Sequence, residues 1–284
     1  MKKVLVTGAS GQLGQCFRQH AVEFPELDLY FTSSEELDLS QLGLVRLFFE
    51  KNNFDVCINC AAYTNVEAAE SKREMAFLIN ADAVKNLAEI CRDRECELFH
   101  FSTDYVFDGR KDSPYKEEDQ TNPINVYGAS KLAGEDFIAQ VMEQYFIFRI
   151  SWLYSDFGKN FFRSILGKAQ KDAVFKITAA QKGTPTNAHD LAVYVLQIIS
   201  GENQSYGLYH YSNLGEATWY DFAKEILRGS GQLDQVDLIE DSSYKTIAKR
   251  PSYSVLSKEK TLGTFKPEIV HWKDSLKQLM SKKT

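Results

Sequence analysis

The chain has 284 residues, of which 44% are hydrophobic and 25% are charged. This composition is that of an ordinary globular protein with enough length for a large core and a smaller second lobe. The net charge of −6 argues against a general nucleic-acid binder, and the sequence has no apolar stretch long enough to cross a bilayer.

The first predicted element is a strand at residues 4–6, followed by glycines at Gly8, Gly11 and Gly14 and a helix at residues 12–21. A strand, a glycine turn and a helix N-terminus together form an anion site from backbone N–H groups and the helix dipole. Gly8 permits the turn, Gly11 lets a pyrophosphate approach the backbone, and Gly14 permits close helix–strand packing. For three glycines alone, a turn that binds no ligand stays an alternative.

Strands and helices then alternate through the first half of the chain. Further strands are predicted at residues 29–32, 56–59, 98–102 and 146–150, and further helices at residues 42–51, 74–92 and 126–144. This alternation predicts an α/β protein with a Rossmann-like, doubly wound parallel sheet.

The cysteines and the N-terminus together favour a cytoplasmic protein. Five cysteines without a regular framework suggest reduced thiols, and Met1 leads directly into a strand, so we expect no signal peptide. Cys57 and Cys60 form a Cys-x-x-Cys pair, but residues three apart on a strand face opposite sides of a sheet. Because no second pair is available for zinc, we expect ordinary burial and no metal site.

Hydroxyl and carboxyl side chains follow the strand predicted at residues 98–102, in the order Ser102, Thr103 and Asp104. The carboxyl ends of parallel strands are where open α/β sheets bind ligands. Thr103 is therefore placed to hydrogen bond a carbonyl oxygen alongside Tyr127. A helix cap or turn hydroxyl is the alternative role.

Tyr127 and Lys131 stand four residues apart on a predicted helix and therefore share one face. A free phenol has a pKa near ~10, which is too high for easy proton transfer at neutral pH. A nearby ammonium stabilises the phenolate and lowers that pKa, and it can also hold a cofactor ribose. Taken alone, the pair is better explained as two exposed residues on an ordinary helix.

After residue 150 the pattern is less regular. Helices are predicted at residues 161–169, 189–199, 218–228 and 273–280, with a strand at residues 209–211. These elements predict a smaller C-terminal α+β lobe.

The combined motifs resemble those of the extended short-chain dehydrogenase/reductases and, within them, the dTDP-4-dehydrorhamnose reductase family. The glycine turn and the Tyr-x-x-x-Lys pair mark only the superfamily. The narrower resemblance is carried by Ser-Thr-Asp-Tyr-Val-Phe at residues 102–107, Ser-Trp-x-Tyr at residues 151–154 and Gly-x-Pro-Thr at residues 183–186. The matching segments run almost from end to end of the chain.

This resemblance implies reduction of the C4 ketone of dTDP-4-dehydro-L-rhamnose to dTDP-L-rhamnose with hydride from NADPH or NADH. It implies that Tyr127 donates the proton, that Lys131 tunes Tyr127 and holds the nicotinamide ribose, and that Thr103 orients the carbonyl. It places Asp104 and Trp152 at the sugar nucleotide, although Trp152 is equally explained as a core aromatic. Its cofactor residues, beside the three glycines, are Gln12, Leu13, Asp38, Leu39, Ala62, Tyr63 and Thr64.

Arg250 is a candidate ligand of the substrate diphosphate, because a guanidinium matches phosphate geometry, although a surface arginine is the commoner case. We expect a dinucleotide-binding domain at residues 1–150, rejoined by about 187–212, and a sugar-nucleotide-binding lobe at residues 151–186 and 213–284. Two alternatives stay open: another sugar-nucleotide reductase or epimerase, and a non-catalytic regulatory subunit with this fold.

The choice between NADH and NADPH is ambiguous, because residues 32–36 lack a basic side chain for a 2′-phosphate while carrying Glu35 and Glu36. We expect a monomer or a homodimer. Some members of the resembled family form a magnesium-linked dimer through glutamates. Cys16 stands where one of these would fall, and Cys is a poor magnesium ligand, so that dimer is not expected here.

Overall fold

The structure is a computed structural model that describes residues 1–170, 174–241, 243 and 246–281. The strands are β1 (Lys2–Thr7), β2 (Leu27–Phe31), β3 (Val56–Asn59), β4 (Glu97–Thr103), β5 (Tyr145–Ile150), β6 (Leu153–Tyr154), β7 (Val174–Ile177), β8 (Lys182–Gly183), β9 (Thr186–Asn187), β10 (Gly207–Tyr211), β11 (Ala217–Thr218) and β12 (Asp237–Glu240). The α-helices are α1 (Gln12–His20), α2 (Leu42–Lys51), α3 (Val66–Ser71), α4 (Arg73–Phe77), α5 (Ala83–Asp93), α6 (Val126–Val141), α7 (Phe161–Ala169), α8 (Ala188–Ser200), α9 (Trp219–Gly229), α10 (Glu259–Phe265) and α11 (Trp272–Ser281).

Six parallel strands form the central sheet in the order β10-β5-β4-β3-β1-β2. The chain leaves β1 towards β2 on one side and returns to β3 on the other, which creates a topological switch point between β1 and β3. Apolar side chains fill both faces of this sheet, as the nearly continuous apolar runs of its strands require. The predicted Rossmann-like doubly wound sheet is therefore confirmed.

Strand β10 is the edge strand of the central sheet and pairs with β5, and α8 packs against α1. Residues 207–211 therefore belong to the central sheet, and the return of residues 187–212 to a dinucleotide-binding domain stays a prediction. A separate apolar cluster, built around Phe222 and Trp272, joins α7, α9 and α11 in the C-terminal lobe. Residues 171–173, 242, 244, 245 and 282–284 of the predicted lobe lie outside the described residues.

The helix predicted at residues 74–92 is confirmed, but it is not α-helical throughout. The chain forms α3 and α4, then a single π-helical segment at Leu78–Asp82, and only then α5. A π segment inserts one extra residue into a turn, which the spacing of an apolar stripe does not reveal. The parallel pair β7–β12 was also missed, because both strands are short and more than 50 residues apart in the sequence.

The cysteines occupy both faces of the sheet. Cys57 lies in the cluster that also contains Cys91 and Cys96, whereas Cys60 packs against the opposite cluster, which contains Cys16. This confirms that Cys57 and Cys60 face opposite sides. Cys16 is fully buried, and burial raises the pKa of its thiol to about 12. Within the described ranges, no helix is both long and apolar enough to cross a bilayer.

Candidate active site

A cleft of about 630 Å³ opens at the carboxyl ends of β1, β3, β4 and β5. The switch point of the sheet lies here, which is the place where doubly wound folds bind their ligands. Most of the predicted site residues line the cleft. They are Gly11, Gln12, Leu13, Ala62, Thr64, Thr103, Asp104, Tyr127, Lys131, Trp152 and Arg250.

The glycine turn brings the N-terminus of α1 to the edge of the cleft. Gly8 adopts φ +62°, and a Cβ there would lie 2.7 Å from the amide nitrogen of Ala61. A Cβ on Gly14 would lie 2.5 Å from the Cα of Ala9, so Gly14 lets α1 pack closely on the glycine turn, whereas close packing on the strand was predicted. Helix α1 starts at Gly11 without a side-chain cap. Its first N–H groups are therefore suited to hold a diphosphate, and the turn fits a dinucleotide.

Thr103 and Tyr127 come together although they lie on β4 and α6. The 3₁₀ turn at Asp104–Val106 follows β4, and Thr103 Oγ1 accepts a hydrogen bond from the Tyr105 amide at 3.1 Å. Helix α6 is capped by Asn125, whose side-chain oxygen accepts from the Gly128 amide at 2.7 Å. A Cβ on Gly128 would overlap the Tyr105 carbonyl oxygen, so only glycine allows α6 to approach this turn. The Tyr127 and Thr103 hydroxyls therefore both line the cleft, and Thr103 acts to lower the pKa of Tyr127.

The hydroxyl of Tyr127 stays protonated at neutral pH. Burial raises its pKa to about 12; the Thr103 hydrogen bond lowers it and the charge of Asp104 raises it further. The predicted lowering of this pKa is wrong in this structure, because desolvation of the phenolate dominates the shift. Protonated Tyr127 is the form that a proton donor requires.

Asp104 is a buried carboxylic acid in the wall of the cleft. Burial raises its pKa to about 7, against hydrogen bonds from Ser254 and Thr103 that lower it. Its Oδ1 accepts from Thr103 Oγ1 at 3.2 Å, while its Oδ2 has no hydrogen-bond partner among the described residues. The side chain therefore has one oxygen free to bind a polar group that enters the cleft.

Lys131 is 2% exposed and contacts His100 of β4, with 3.2 Å between its Nζ and the imidazole Nε2. On the other side of that ring, Nδ1 lies 3.1 Å from the side-chain nitrogen of Asn59. Burial lowers the pKa of Lys131 to about 8, and the charge of Glu135 raises it in part. Glu135 itself is held by Arg149 through a buried ion pair of 2.7 Å.

The π-helical segment positions both α6 and the loop after β3. Asn80 donates to the Tyr63 carbonyl at 3.0 Å and accepts from the Tyr63 amide at 2.8 Å, and it also donates to Ser130 Oγ at 3.0 Å. Ser130 in turn donates to the Tyr127 carbonyl at 2.8 Å. One buried amide therefore fixes the loop that carries Ala62 and the helix that carries Tyr127.

We call the four residues Thr103, Asp104, Tyr127 and Lys131 the sheet wall of the cleft. We call the four residues opposite, Trp152, Phe161, Trp219 and Arg250, the lobe wall.

The lobe wall is mainly aromatic. The rings of Trp152 and Trp219 are stacked with 3.7 Å between centroids and 9° between planes, and Phe161 packs on Trp219 at 4.6 Å. Trp152 adopts φ +46°, which is a rare conformation for a bulky side chain. Trp152 packs against the apolar cluster of the lobe and also lines the cleft, so it is more than a core aromatic.

Arg250 is held in the lobe wall by Glu67 of α3. Its Nη2 donates to Glu67 Oε1 at 2.8 Å, and Glu67 Oε2 accepts from the Ile247 and Ala248 amides. Burial acts to raise the pKa of Glu67, but these hydrogen bonds bring it below its ordinary value. The buried Nε of Arg250 has no partner among the described residues and remains available to an anion.

A second cavity of about 450 Å³ shares Phe161, Trp219 and Arg250 with the cleft. Its other lining residues include Lys168, Lys176 and Gln181. The side-chain oxygen of Gln181 accepts from the Trp219 indole at 3.0 Å. The cleft therefore continues into the C-terminal lobe past an aromatic pair and three cations.

Five predicted cofactor residues do not line the cleft. Gly8 and Gly14 shape the glycine turn, Leu39 is buried in the core, and Asp38 is exposed on the loop after β2. Tyr63 is held through its backbone by Asn80. Their roles at the cofactor stay predictions.

Residues 32–36, after β2, contain no basic side chain, but the guanidinium of Arg18 lies near them in the fold. Arg18 of α1 lies over the Phe31 ring at 4.3 Å, and its charge acts on Glu36. The Glu36 carboxylate accepts from the Ser33 amide at 2.8 Å. A carboxylate and a guanidinium therefore meet here, and the choice between NADH and NADPH stays open.

Sequence reasoning missed His100, Asn59, Asn80 and Glu67 as parts of the site. The available signal was a polar residue within a strand that is otherwise apolar, which applies to His100 in Leu98-Phe99-His100-Phe101. In the described part of the chain, no group of three or more His, Cys, Asp or Glu side chains is arranged to hold a metal ion.

Comparison with known proteins agrees with this geometry. Residues 1–284 match the family described as RmlD substrate binding domain. A dTDP-4-dehydrorhamnose reductase from Sinorhizobium fredii is 36% identical over 98% of this chain and 96% of its own. Similar crystal structures are that of a dTDP-4-dehydrorhamnose reductase from Clostridium acetobutylicum (36% identity, TM-score 0.93) and that of the Bacillus anthracis enzyme in complex with NADP (33% identity, TM-score 0.94). Each of these two matches covers 99% of this chain and 99% of the other protein's chain.

Proposed function

The chain belongs to the RmlD family of dTDP-4-dehydrorhamnose reductases, and from this premise we propose that it reduces the C4 ketone of dTDP-4-dehydro-L-rhamnose to dTDP-L-rhamnose. The observation that carries the proposal is the meeting of two sets of residues in one cleft. The sheet wall holds a hydroxyl pair and a lysine, and the lobe wall holds stacked aromatics and an arginine with a free donor.

The turn at Gly8, Gly11 and Gly14 fits the diphosphate of a nicotinamide dinucleotide, and Lys131 would hold the nicotinamide ribose. When bound, the reduced nicotinamide supplies the hydride. Thr103 and Tyr127 both line the cleft at the end of β4. A ketone oxygen placed there accepts from the Tyr127 hydroxyl, and from Thr103 once that hydroxyl turns away from Asp104. Tyr127 then transfers its proton to the oxygen as negative charge develops on it, and the phenolate regains a proton from water.

The lobe wall supports recognition of the nucleotide part of the substrate. Arg250 is presented by Glu67 with its Nε unused, which suits one phosphate oxygen of a diphosphate. The stacked pair Trp152 and Trp219 offers a flat apolar surface for a base or a sugar face. Binding far from the reacting carbon positions the ketone, so small ketones are expected to be poor substrates.

The test is a nicotinamide-oxidation assay with dTDP-4-dehydro-L-rhamnose, other 4-keto nucleotide sugars, and a simple 2-keto acid, each with NADPH and with NADH. We expect turnover of the dTDP sugar, little with the 2-keto acid, and strong loss in Tyr127→Phe. Equal turnover of the 2-keto acid would remove the nucleotide-sugar assignment. Interconversion of sugars without net oxidation of the cofactor would identify an epimerase, and no turnover of any compound would favour a regulatory subunit.

A further inference from the structure

A chain of four buried polar side chains runs from β1 to the sheet wall. It comprises Thr7, Asn59, His100 and Lys131, none of which is more than 2% exposed. The Thr7 hydroxyl donates to Asn59 Oδ1 at 2.8 Å, Asn59 Nδ2 lies 3.1 Å from His100 Nδ1, and His100 Nε2 lies 3.2 Å from Lys131 Nζ. Because the chain is buried, each donor must meet an acceptor.

The direction of these hydrogen bonds is set at Asn59. The amide of Ala61 can only donate, and it points at Asn59 Oδ1 with a separation of 3.1 Å. The oxygen of the Asn59 side chain therefore faces Thr7 and Ala61, and its NH₂ group faces His100. Since an NH₂ group can only donate, His100 Nδ1 must accept and carries no proton.

A neutral imidazole with a bare Nδ1 carries its proton on Nε2. Burial and the charge of Lys131 hold the pKa of His100 well below its ordinary value, so the ring is neutral at physiological pH. The Nε2–H group then donates to Lys131 Nζ, which has a lone pair only when the amine is uncharged. An ammonium in the same place would direct its own hydrogens at the imidazole N–H.

We propose that His100 is a positioning residue for Lys131. While the amine of Lys131 is uncharged, the Nε2–H group of His100 donates a hydrogen bond to it and holds it in place. When the amine gains a proton, this hydrogen bond is lost and Lys131 turns towards the cleft. The inference rests on the proposed function, in which Lys131 acts on Tyr127 and on the nicotinamide ribose. His100 and Asn59 keep their own protons throughout, and the proton that charges Lys131 comes from water in the cleft.

The surroundings of Lys131 are consistent with two positions of the amine. Besides His100, the titratable groups on the elements packed around it are Glu135 and Tyr127 on its own helix, Asp104 and Tyr105 after β4, and Cys60 after β3. Glu135 is already bound by Arg149. A charged Lys131 can turn towards the cleft that its helix lines, and an uncharged one finds its donor at His100.

The decisive measurement is the tautomer of His100, read from two-bond ¹H–¹⁵N correlation spectra of the intact ¹⁵N-labelled protein. The chain has five histidines, and His100→Gln assigns the signal by its loss. We expect a neutral ring with its proton on Nε2 across the neutral pH range. A ring with its proton on Nδ1, or a doubly protonated ring, overturns the proposal.

A second measurement follows the binding of NADP⁺ as a function of pH, which does not depend on turnover. With the wild type, affinity should fall as pH rises through about 8, where Lys131 loses its charge. His100→Gln offers an oxygen to the ammonium, so the fall should move upward by about one pH unit, the effect of one hydrogen bond. If the ammonium instead donates to His100 in the wild type, the glutamine replaces one acceptor by another. The pH at which NADP⁺ affinity falls is then unchanged.

His210→Gln is the matched control, because His210 is equally buried in the sheet but donates from Nδ1 to the Tyr115 carbonyl and does not contact Lys131. It should leave the pH dependence of NADP⁺ binding unchanged, and an equal shift in both variants would assign the effect to general loosening of the sheet. The dTDP sugar could fail as a substrate while the expected His100 tautomer and the expected shift in the pH dependence of NADP⁺ binding are both found. In that case only the proposed function is wrong.

Discussion

On the sheet wall, side chains of known acid–base chemistry are buried and bound to one another, whereas on the lobe wall the surface is aromatic and its guanidinium keeps an unused donor. Thr103 donates to Asp104, and Lys131 is held by His100. Trp152 and Trp219 contact each other by stacking, and among the described residues Arg250 is held through Nη2 alone. The comparison teaches that the wall that performs chemistry is organised before substrate arrives, while the wall that recognises substrate completes its hydrogen bonds only with it.

The largest effect should come from the sheet wall, with Tyr127→Phe. This change keeps the ring and removes the proton donor, so kcat should fall by roughly 10²–10⁴-fold, while cofactor affinity stays nearly unchanged. The measurement is steady-state kinetics together with cofactor titration.

Lys131→Met should also lower kcat and should weaken cofactor binding. If the two residues act as one unit, the loss in the double variant is smaller than the product of the two single losses. If Tyr127→Phe keeps a near-normal kcat while chemistry is shown to be rate-limiting, Tyr127 is not the proton donor. The assignment of the chemistry to the sheet wall is then wrong.

A smaller effect of a different kind is expected on the lobe wall, with Arg250→Met. Loss of a charge-assisted hydrogen bond to the substrate should raise KM by about 10- to 100-fold and leave kcat within a few-fold. Arg250→Lys should recover only part of the affinity, because an ammonium lacks the planar fork. Arg46→Met on the exposed face of α2 is the control and should change neither constant. A loss confined to kcat would show that Arg250 belongs with the sheet wall in function.

The smallest effect concerns stability, and it measures how much the burial of the Asp104 carboxyl in the sheet wall destabilises the folded chain at neutral pH. Asp104 has a pKa of about 7 in the folded chain, against an ordinary value of 3.8. Between these values the folded state binds the extra proton, so this carboxyl's contribution to stability is present at low pH and is lost as pH rises towards 7. Asp104→Asn should remove that pH dependence and raise Tm at neutral pH by about 2–4 °C.

Thermal unfolding at a series of pH values measures this effect. Asp108→Asn is the control with the opposite sign: burial acts against it, but hydrogen bonds from Arg110, Asn122 and Tyr115 bring the pKa of Asp108 below its ordinary value. Its stabilising contribution is present at neutral pH and is lost as pH falls. A decrease in Tm for Asp104→Asn at neutral pH would show that the charged form of Asp104 is stabilised by contacts other than those described above.

The sequence predicts the parts of the site that depend on local spacing. The four-residue step from Tyr127 to Lys131 and the order of strand, glycines and helix at the N-terminus both follow from helix and strand periodicity. The partners of these residues do not. His100 lies 31 positions from Lys131, and Glu67 lies 183 positions from Arg250. Such pairs are set by the order of strands and by lobe packing, which no local pattern encodes.

The π-helical segment at Leu78–Asp82 illustrates the same limit inside a helix. An apolar stripe predicts helix at residues 74–92, and all of these residues are indeed in α- or π-helix. The extra residue that brings Asn80 to both Tyr63 and Ser130 is invisible to that stripe, because its reason is a hydrogen-bonding need of neighbouring segments.

The stacked pair of Trp152 and Trp219 gives the protein an optical signal of its own. The chain has three tryptophans, and the third, Trp272, is buried in the lobe core. Two indoles with centroids 3.7 Å apart couple their electronic transitions, and near-ultraviolet circular dichroism registers that coupling. A ligand that slides between the rings or turns one of them changes this coupling and the emission of the pair, while Trp272 provides a constant background. Occupancy of the lobe wall is therefore measurable without label or turnover.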